Sequence, residues 1–308
     1  MHNKENSEQH LPSRRKFIQT GLQAAVAASA LSLPVTASAA NFFTGADTYT
    51  VQDVIDIILK SITAFNSTDT VDTIKAGSAS NKVTGIVTTM FPTIDVIKKT
   101  IEQKANFIIA HEPTFYNHND KTDMIENNEV VQKKLKLLND NNITVWRAHD
   151  SWHRIEPDGI TWGVIKKVGW QKYYKAGDKT FEIPAVVLKD IVYHFKEKLE
   201  IPHLRIIGDL SKPCKKVSLL PGAWGGLNQI QTIVKDKPDL VIIGEASEWE
   251  TPEYIRDARA MGSNISLIIL GHAVSEEPGM DWMAEWLKPK LKGVKVTHIP
   301  STDPFTWL

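Results

Sequence analysis

Apolar positions along this chain follow two spacings that trade places. Val51, Val54, Ile55, Ile57, Ile58 and Ile62 recur at the interval of a helix that buries one face, and the run from Val83 to Met90 reads as a buried strand. Ile94, Ile97 and Ile101 mark a second helix, residues 106–110 a second strand, 130–138 a third helix and 143–148 a third strand. The pattern resumes with strands at 204–208 and 217–220, a helix from about Gly226, a strand at 239–243 and a helix near 252–261. A strand at 266–271, a helix at 279–288 and a strand at 294–299 complete it. This alternation predicts an α/β protein whose helices cover sheets. The less regular stretch 161–202, with a loop at 172–179 and a helix at 186–199, divides it into α/β halves at 47–160 and 203–308.

Residues before 47 follow a different pattern. Ser13-Arg14-Arg15-Lys16-Phe17 precedes a weakly apolar, Ala-rich run from Gly21 to Leu33, and Ala37-Ser38-Ala39 offers small residues for cleavage. That order is the order of an export signal, and the paired arginines point to the twin-arginine translocation machinery, with cleavage near Ala39. The apolar run is too short to span a bilayer, which needs about 20 residues, so no stable membrane anchor is expected. The expected location is the periplasm or another exported compartment. Twin-arginine export carries proteins already folded, often with a cofactor loaded, which hints at a metal or other cofactor.

The 36 basic and 36 acidic residues cancel in the whole chain. Removing residues 1–39 takes away Lys4, Arg14, Arg15 and Lys16 but only Glu5 and Glu8, so the mature chain carries a formal charge of −2. A nucleic-acid-binding role, which favours a basic excess, is disfavoured. Cys214 stands alone and cannot form an intrachain disulfide.

Three of the 10 histidines share one topological position. His111, His149 and His272 each follow directly on a predicted buried strand, at the carboxyl edge where open α/β sheets bind ligands. Glu112 follows the first, Asp150 and His153 follow the second, and Glu276 lies four residues beyond the third. Imidazole and carboxylate ligands in this number suit zinc, manganese, iron or cobalt and exceed one tetrahedral site. They fit two ions about 3.5–4 Å apart, an arrangement that serves hydrolytic displacement.

The segments VTGIVTTMFPTIDVIKKTIEQKANFIIAHEPTFY, WRAHDSWH and LIILGHAVSEEPGMDWMAEWL resemble the NIF-three-like family of dinuclear-metal hexameric proteins, often labelled GTP cyclohydrolase one type two. The resemblance covers most of residues 50–308, least in the middle, and implies a metal site at the carboxyl strand ends between two α/β halves. It also implies a His-His pair after the second strand, where this chain has His111-Glu112, and a His-x-x-x-Asp after the third, where it has His149 and His153. The two departures are opposite in sense, so His111, Glu112, His153, His272 and Glu276 keep the family's three imidazoles and two carboxylates. On this reading Glu276 bridges two divalent ions, His111 and His272 complete one, and Glu112 and His153 complete the other. His149 faces the substrate or supports the ligands, and Asp150 holds a ligand imidazole.

Further candidates surround that set. Gly225 and Gly226, with Gly222 in PGAWGG, either let backbone N–H groups approach an anion or make a tight turn. Glu245 ends another predicted strand and either lines the pocket, holds a ligand histidine or forms a salt bridge. Trp152 and Trp224 could stack on a planar substrate. The expected function is metal-dependent hydrolysis of a small substrate, nucleotide-like or cyclic, with Glu276 and His149 catalytic. The alternative is a metal-binding hexameric assembly protein without turnover.

Overall fold

The computed structural model describes residues 48–308 except 63–67, 124 and 126, so the export signal expected at 1–39 lies outside the described residues. In chain order the helices and strands are α1 (Val51–Leu59), β1 (Ile74–Ala76), β2 (Ile86–Thr89), α2 (Ile94–Glu102), β3 (Phe107–Ala110), α3 (Glu129–Asp140), β4 (Thr144–Arg147) and α4 (Asp150–His153). There follow α5 (Gly159–Lys167), β5 (Thr180–Val187), α6 (Leu188–Leu199), β6 (Arg205–Ile207), β7 (Pro213–Leu220), α7 (Gly226–Asp236) and β8 (Leu240–Ile243). The chain ends with α8 (Thr251–Ala260), β9 (Ser266–Ile269), α9 (His272–Leu287) and β10 (Val296–His298). Among the described residues no helix is long and apolar enough to cross a membrane.

Two five-stranded sheets result, ordered β1-β4-β3-β2-β10 and β5-β7-β8-β9-β6. The α/β expectation holds. Each sheet has a parallel centre, and the edge strands β1, β5 and β6 run antiparallel to their neighbours. The central strands β2, β3, β4, β8 and β9 are buried at every position; β3 and β8 are apolar throughout, whereas β2, β4 and β9 also bury Thr88, Thr89, Thr144, Arg147 and Ser266.

The sheets take their strands from the chain differently from the expected division. β10, from the C-terminal stretch, pairs parallel with β2, so the last strand closes the first sheet. β5 lies in the stretch 161–202 and pairs with β7 as an edge of the second sheet. Its Pro184 breaks the strand pattern, and the register shifts between Glu182 and Val186, where a missing N–H is tolerated at an edge.

α9 joins the two sheets. Two residues separate it from β9 of the second sheet, and its Met280, Met283, Ala284 and Leu287 pack with α1 and one face of the first sheet. The sequence pattern starts this helix at 279, whereas it begins at His272 and carries Pro278 inside. The Pro-Gly step has a packing role. A Cβ on Gly163 of α5 would lie 2.4 Å from Gly279 Cα, and one on Gly279 would lie 2.6 Å from Ile160 Cα. Only glycines let these two helices cross so closely.

Candidate metal centre

β3, β4 and β9 deliver the three strand-end histidines to one place. His111 follows β3 immediately. His149 precedes α4, whose single turn puts His153 one turn further along the same face, with His153 N–H donating to His149 C=O at 3.2 Å. Asp72 fixes this turn by accepting from the backbone N–H groups of His149, Asp150 and Ser151 at 2.8–2.9 Å. His272 and Glu276 lie one turn apart at the start of α9.

Four imidazoles and two carboxylates converge. His111, His149 and His153 offer ligand atoms within 4.8 Å of one another, and so do His111, Glu112 and Glu276. His272 Nε2 lies 3.1 Å from both Glu112 Oε1 and Glu276 Oε2. The rings of His111 and His149 stack with centroids 4.6 Å apart.

Every imidazole is held at Nδ1 by a group outside the cluster. The holders are Ala148 C=O for His111 at 3.2 Å, Asp150 for His149 at 3.0 Å, Asp158 for His153 at 2.9 Å and Glu245 for His272 at 2.9 Å. Such holders fix a ring's tautomer and aim its other nitrogen, a common arrangement behind metal-ligating histidines. Glu112 is oriented by the fully buried Arg147, whose Nη2 donates to Glu112 Oε2 at 3.0 Å while Nε donates to His111 C=O at 3.1 Å.

The donor set fits a borderline divalent cation. His111 Nε2 is buried and has no hydrogen-bond partner among the described residues, although it faces Glu276 Oε2 at 3.7 Å. An unpaired imidazole nitrogen in the interior is costly unless something else meets it. Burial, with the charges of His149 and His153, holds the His111 imidazole well below its ordinary range, so it stands neutral with a lone pair to give. His272 and His153 behave differently. Burial opposes their protonation, but Glu112 and Glu276 raise His272 to about 10, and Asp158 raises His153 to about 9. Burial pushes Glu112 upward, yet its bond to His272 leaves it below the ordinary value. The carboxylates thus gather positive charge, here protons on imidazole, where a cation would compete for the same atoms.

Two glycines seat the carboxylate end of the cluster. A Cβ at Gly222, whose φ is +77°, would fall 2.0 Å from Glu276 Oε1, and one at Gly244 would fall 2.3 Å from Ser275 Oγ. Glu276 is thereby packed against backbone and is almost fully buried.

A family model described as Duf34/NIF3 (NGG1p interacting factor 3) matches residues 49–304. The chain belongs to the Duf34/NIF3 family. A relative from Clostridium perfringens named GTP cyclohydrolase 1 type 2 homolog is 25% identical over 84% of this chain and 99% of its own length. A second of that name from Clostridium acetobutylicum is 28% identical, covering 70% of this chain and 80% of its own. The crystal structure of a Staphylococcus aureus hypothetical protein superposes with a TM-score of 0.66 at 15% identity, over 85% of this chain and 100% of that one. At that identity the likeness is one of fold. Within this Duf34/NIF3 fold, the spatial cluster takes in the departing residues Glu112 and His153 together with the matching ones.

Some sequence-based expectations change. His149, expected outside the ligand set, shares ligand distance with His111 and His153, and Asp150 holds that imidazole. Glu245 both lines the cavity and holds His272. Trp152 does not face a substrate: it is fully buried, its Nε1–H donates to Gly279 C=O at 3.1 Å, and Gly159 packs against its ring. An amphipathic ring beside two histidines suggested the pocket, but the apolar side of α4 turns it into the core. Gly226 N–H donates to Glu250 at 3.1 Å, so the chain's own carboxylate takes the helix N-terminus that an anion would need. Gly225, at φ +74°, serves the turn into α7. The sequence reading missed Arg147, Asp72 and Asp158. Arg147 left a signal, a charge at the end of an apolar run, and Asp158 lies only five residues past His153; Asp72 left none, because its partners lie 77–79 residues away.

Proposed function

We propose that this protein is an exported, metal-dependent hydrolase of a small substrate, built on two divalent ions held by His111, His149, His153, His272, Glu112 and Glu276. The observation that carries the reading is His111 Nε2, an interior nitrogen without a partner among the described residues, aimed into a group of carboxylates and imidazoles whose outer atoms are already engaged. Ions there supply Lewis acidity toward water and toward a polar substrate atom. The chain's own work is to hold and orient. Glu112 and Glu276 bring two carboxylates within reach of one imidazole, His272, which suits them to span neighbouring cations. His149 is partly exposed to the cavity, and Asp150 holds its Nδ1, which directs its Nε2 into the cluster.

The cavity in front of the cluster, about 1120 Å³, admits a small molecule. The relatives' name suggests a purine nucleotide. Export argues against GTP itself, which is scarce outside the cytoplasm. Export rests on the twin-arginine pattern at 1–39, and a hexamer rests on family resemblance.

Metal analysis of the purified mature protein, joined to a screen of phosphoesters, amides and cyclic compounds with manganese, zinc or cobalt, tests the reading. Metal-dependent turnover in the wild type and none in Glu276→Ala is expected. Fewer than one ion per chain, with Glu276→Ala unchanged, would overturn it, and tight metal binding without turnover would favour a non-catalytic assembly role.

A further inference from the structure

Lys134 is a buried cation. It projects from the middle of α3, is 4% exposed, and donates from Nζ to Thr114 C=O at 2.7 Å. Among the described residues no carboxylate lies within ion-pair distance of it. Asp120, the acid that acts on it electrostatically, is already bound by Lys75 at 3.2 Å and by Arg147 at 3.4 Å. Burial pulls the ammonium down to about 8, so it still carries charge near neutrality at a cost.

That cation lines the same cavity as the metal cluster. Most acids on the cavity wall are engaged elsewhere, and Asp95, exposed on the first turn of α2, forms no ion pair with Lys134. Glu112 pairs with Arg147 and His272, Glu245 and Glu276 pair with His272, and Asp303 accepts from Phe305 N–H and Trp307 Nε1–H. Beside Lys134 stands Tyr116, a residue 61% exposed whose ring centroid lies 5.3 Å from Nζ. Its backbone takes φ +64°, uncommon for an aromatic residue and typical of sites where position matters more than local ease. Across the cavity Phe91 meets His272 edge-on at 6.0 Å. An exposed ring beside an ammonium that has no ion-paired carboxylate among the described residues suits a flat group that carries negative charge.

We propose that Lys134 binds the carboxylate or phosphate of the substrate while Tyr116 stacks on its planar part, which makes the substrate class a small planar anion. The proposal rests on reading this cavity as the substrate site. Lys134 is a binding residue in it, removed from the cluster that would hold the ions.

Calorimetric titration of the purified mature protein, as isolated and after chelation, with phenyl phosphate, benzoate and benzyl alcohol tests it. Both arms should show saturable binding of at least one anion, and the preferred anion identifies phosphate or carboxylate as the natural group. Lys134→Met should weaken the anion by about tenfold or more, the scale of one charged hydrogen bond, and leave benzyl alcohol unchanged. Lys134→Arg should recover part of the loss, and Tyr116→Ala should weaken all ligands. In the wild type, the bound anion should also protect Lys134 from acetylation, read by mass spectrometry, which needs no variant to fold. Anion binding that ignores Lys134→Met, absent protection, or no saturable binding would overturn the proposal. Lys134-dependent binding without metal-dependent turnover would overturn the hydrolase reading alone, and turnover untouched by Lys134→Met would overturn this one alone.

Discussion

Asp158 does two jobs at one position: one carboxylate oxygen caps α5 by accepting from Thr161 N–H at 2.8 Å, and the other holds His153 Nδ1 at 2.9 Å. The two can be separated. Asp158→Asn keeps a side-chain acceptor for the cap but removes the charge behind His153, so thermal stability should stay near wild type while metal affinity falls by about 10–100-fold, measured by competition with a chromophoric chelator. Unchanged affinity would remove His153 from the ligand set. Lys134 gives a test in pH. Its folded value, about 8, lies below the 10.5 of a free lysine, so between these values the unfolded chain binds the proton more tightly. Stability therefore gains from this group as pH rises from about 8 to 10.5, and the full penalty stands below 8. Denaturant unfolding of wild type and Lys134→Met at pH 7 and 10 should show the variant's advantage shrinking as pH rises; a constant difference would mean that Lys134 titrates normally. At this scale the sequence is uneven as a guide. His111, His149 and His272 are legible because a strand end is a local feature, whereas Trp152 misleads, since which side of α4 meets the core is decided by α9 and α5.

Among the elements, α9 has the largest consequence for the site. Its first turn holds His272 and Glu276, and its later turns pack on the first sheet beside α5, where Gly163 faces Pro278 and Gly279. Gly163→Leu would drive a side chain into that backbone, with Pro278 C=O only 2.4 Å from the added Cβ. Overpacking of this kind costs about 1–3 kcal/mol and here should also push the start of α9 out of line, so metal content should fall along with the midpoint of thermal unfolding. Loss of stability with full metal content would show that α9 yields without disturbing its first turn. The periodicity of apolar residues starts this helix at 279 because His272 to Pro278 contains carboxylates and a proline, which a pattern-based reading assigns to a loop. Those residues are helical because the turn is the ligand-bearing one: its polar side chains point at other polar side chains instead of at water. β5 is obscured for a related reason, since an edge strand carrying Pro184 lacks both clean alternation and a continuous apolar run.

Across the whole molecule, the cluster draws on both sheets: β3 and β4 of the first supply His111, Glu112, His149 and His153, and β9 of the second leads into His272 and Glu276. A cation bound there ties the two sheets together. Anything that binds the folded state alone stabilises it, by about 2.7 kcal/mol at a hundredfold excess over Kd. Thermal unfolding of the mature protein should thus shift several degrees upward with added zinc or manganese and downward with chelator, and Glu276→Ala should lose most of the shift. An equal shift in that variant would assign the stabilising metal to another place. β10 contributes to the same union, because the chain returns from the second sheet to pair with β2 of the first.

What the sequence by itself determined is what nearest neighbours along the chain decide. Fully buried parallel strands demand continuous apolar runs, helices that cover them demand one apolar face, and sheet edges put the strand-end histidines where ligands collect. The alternation, the α/β class and the three histidines follow from these local rules. Only the tertiary structure decided which imidazoles share a site, because that depends on Asp72, Glu245 and Arg147 meeting partners far along the chain. It also brought Lys134 to the cavity wall with no carboxylate within ion-pair distance among the described residues. A long-range contact leaves no periodic trace in sequence, since its free energy depends on two segments meeting in space and constrains neither segment's own spacing.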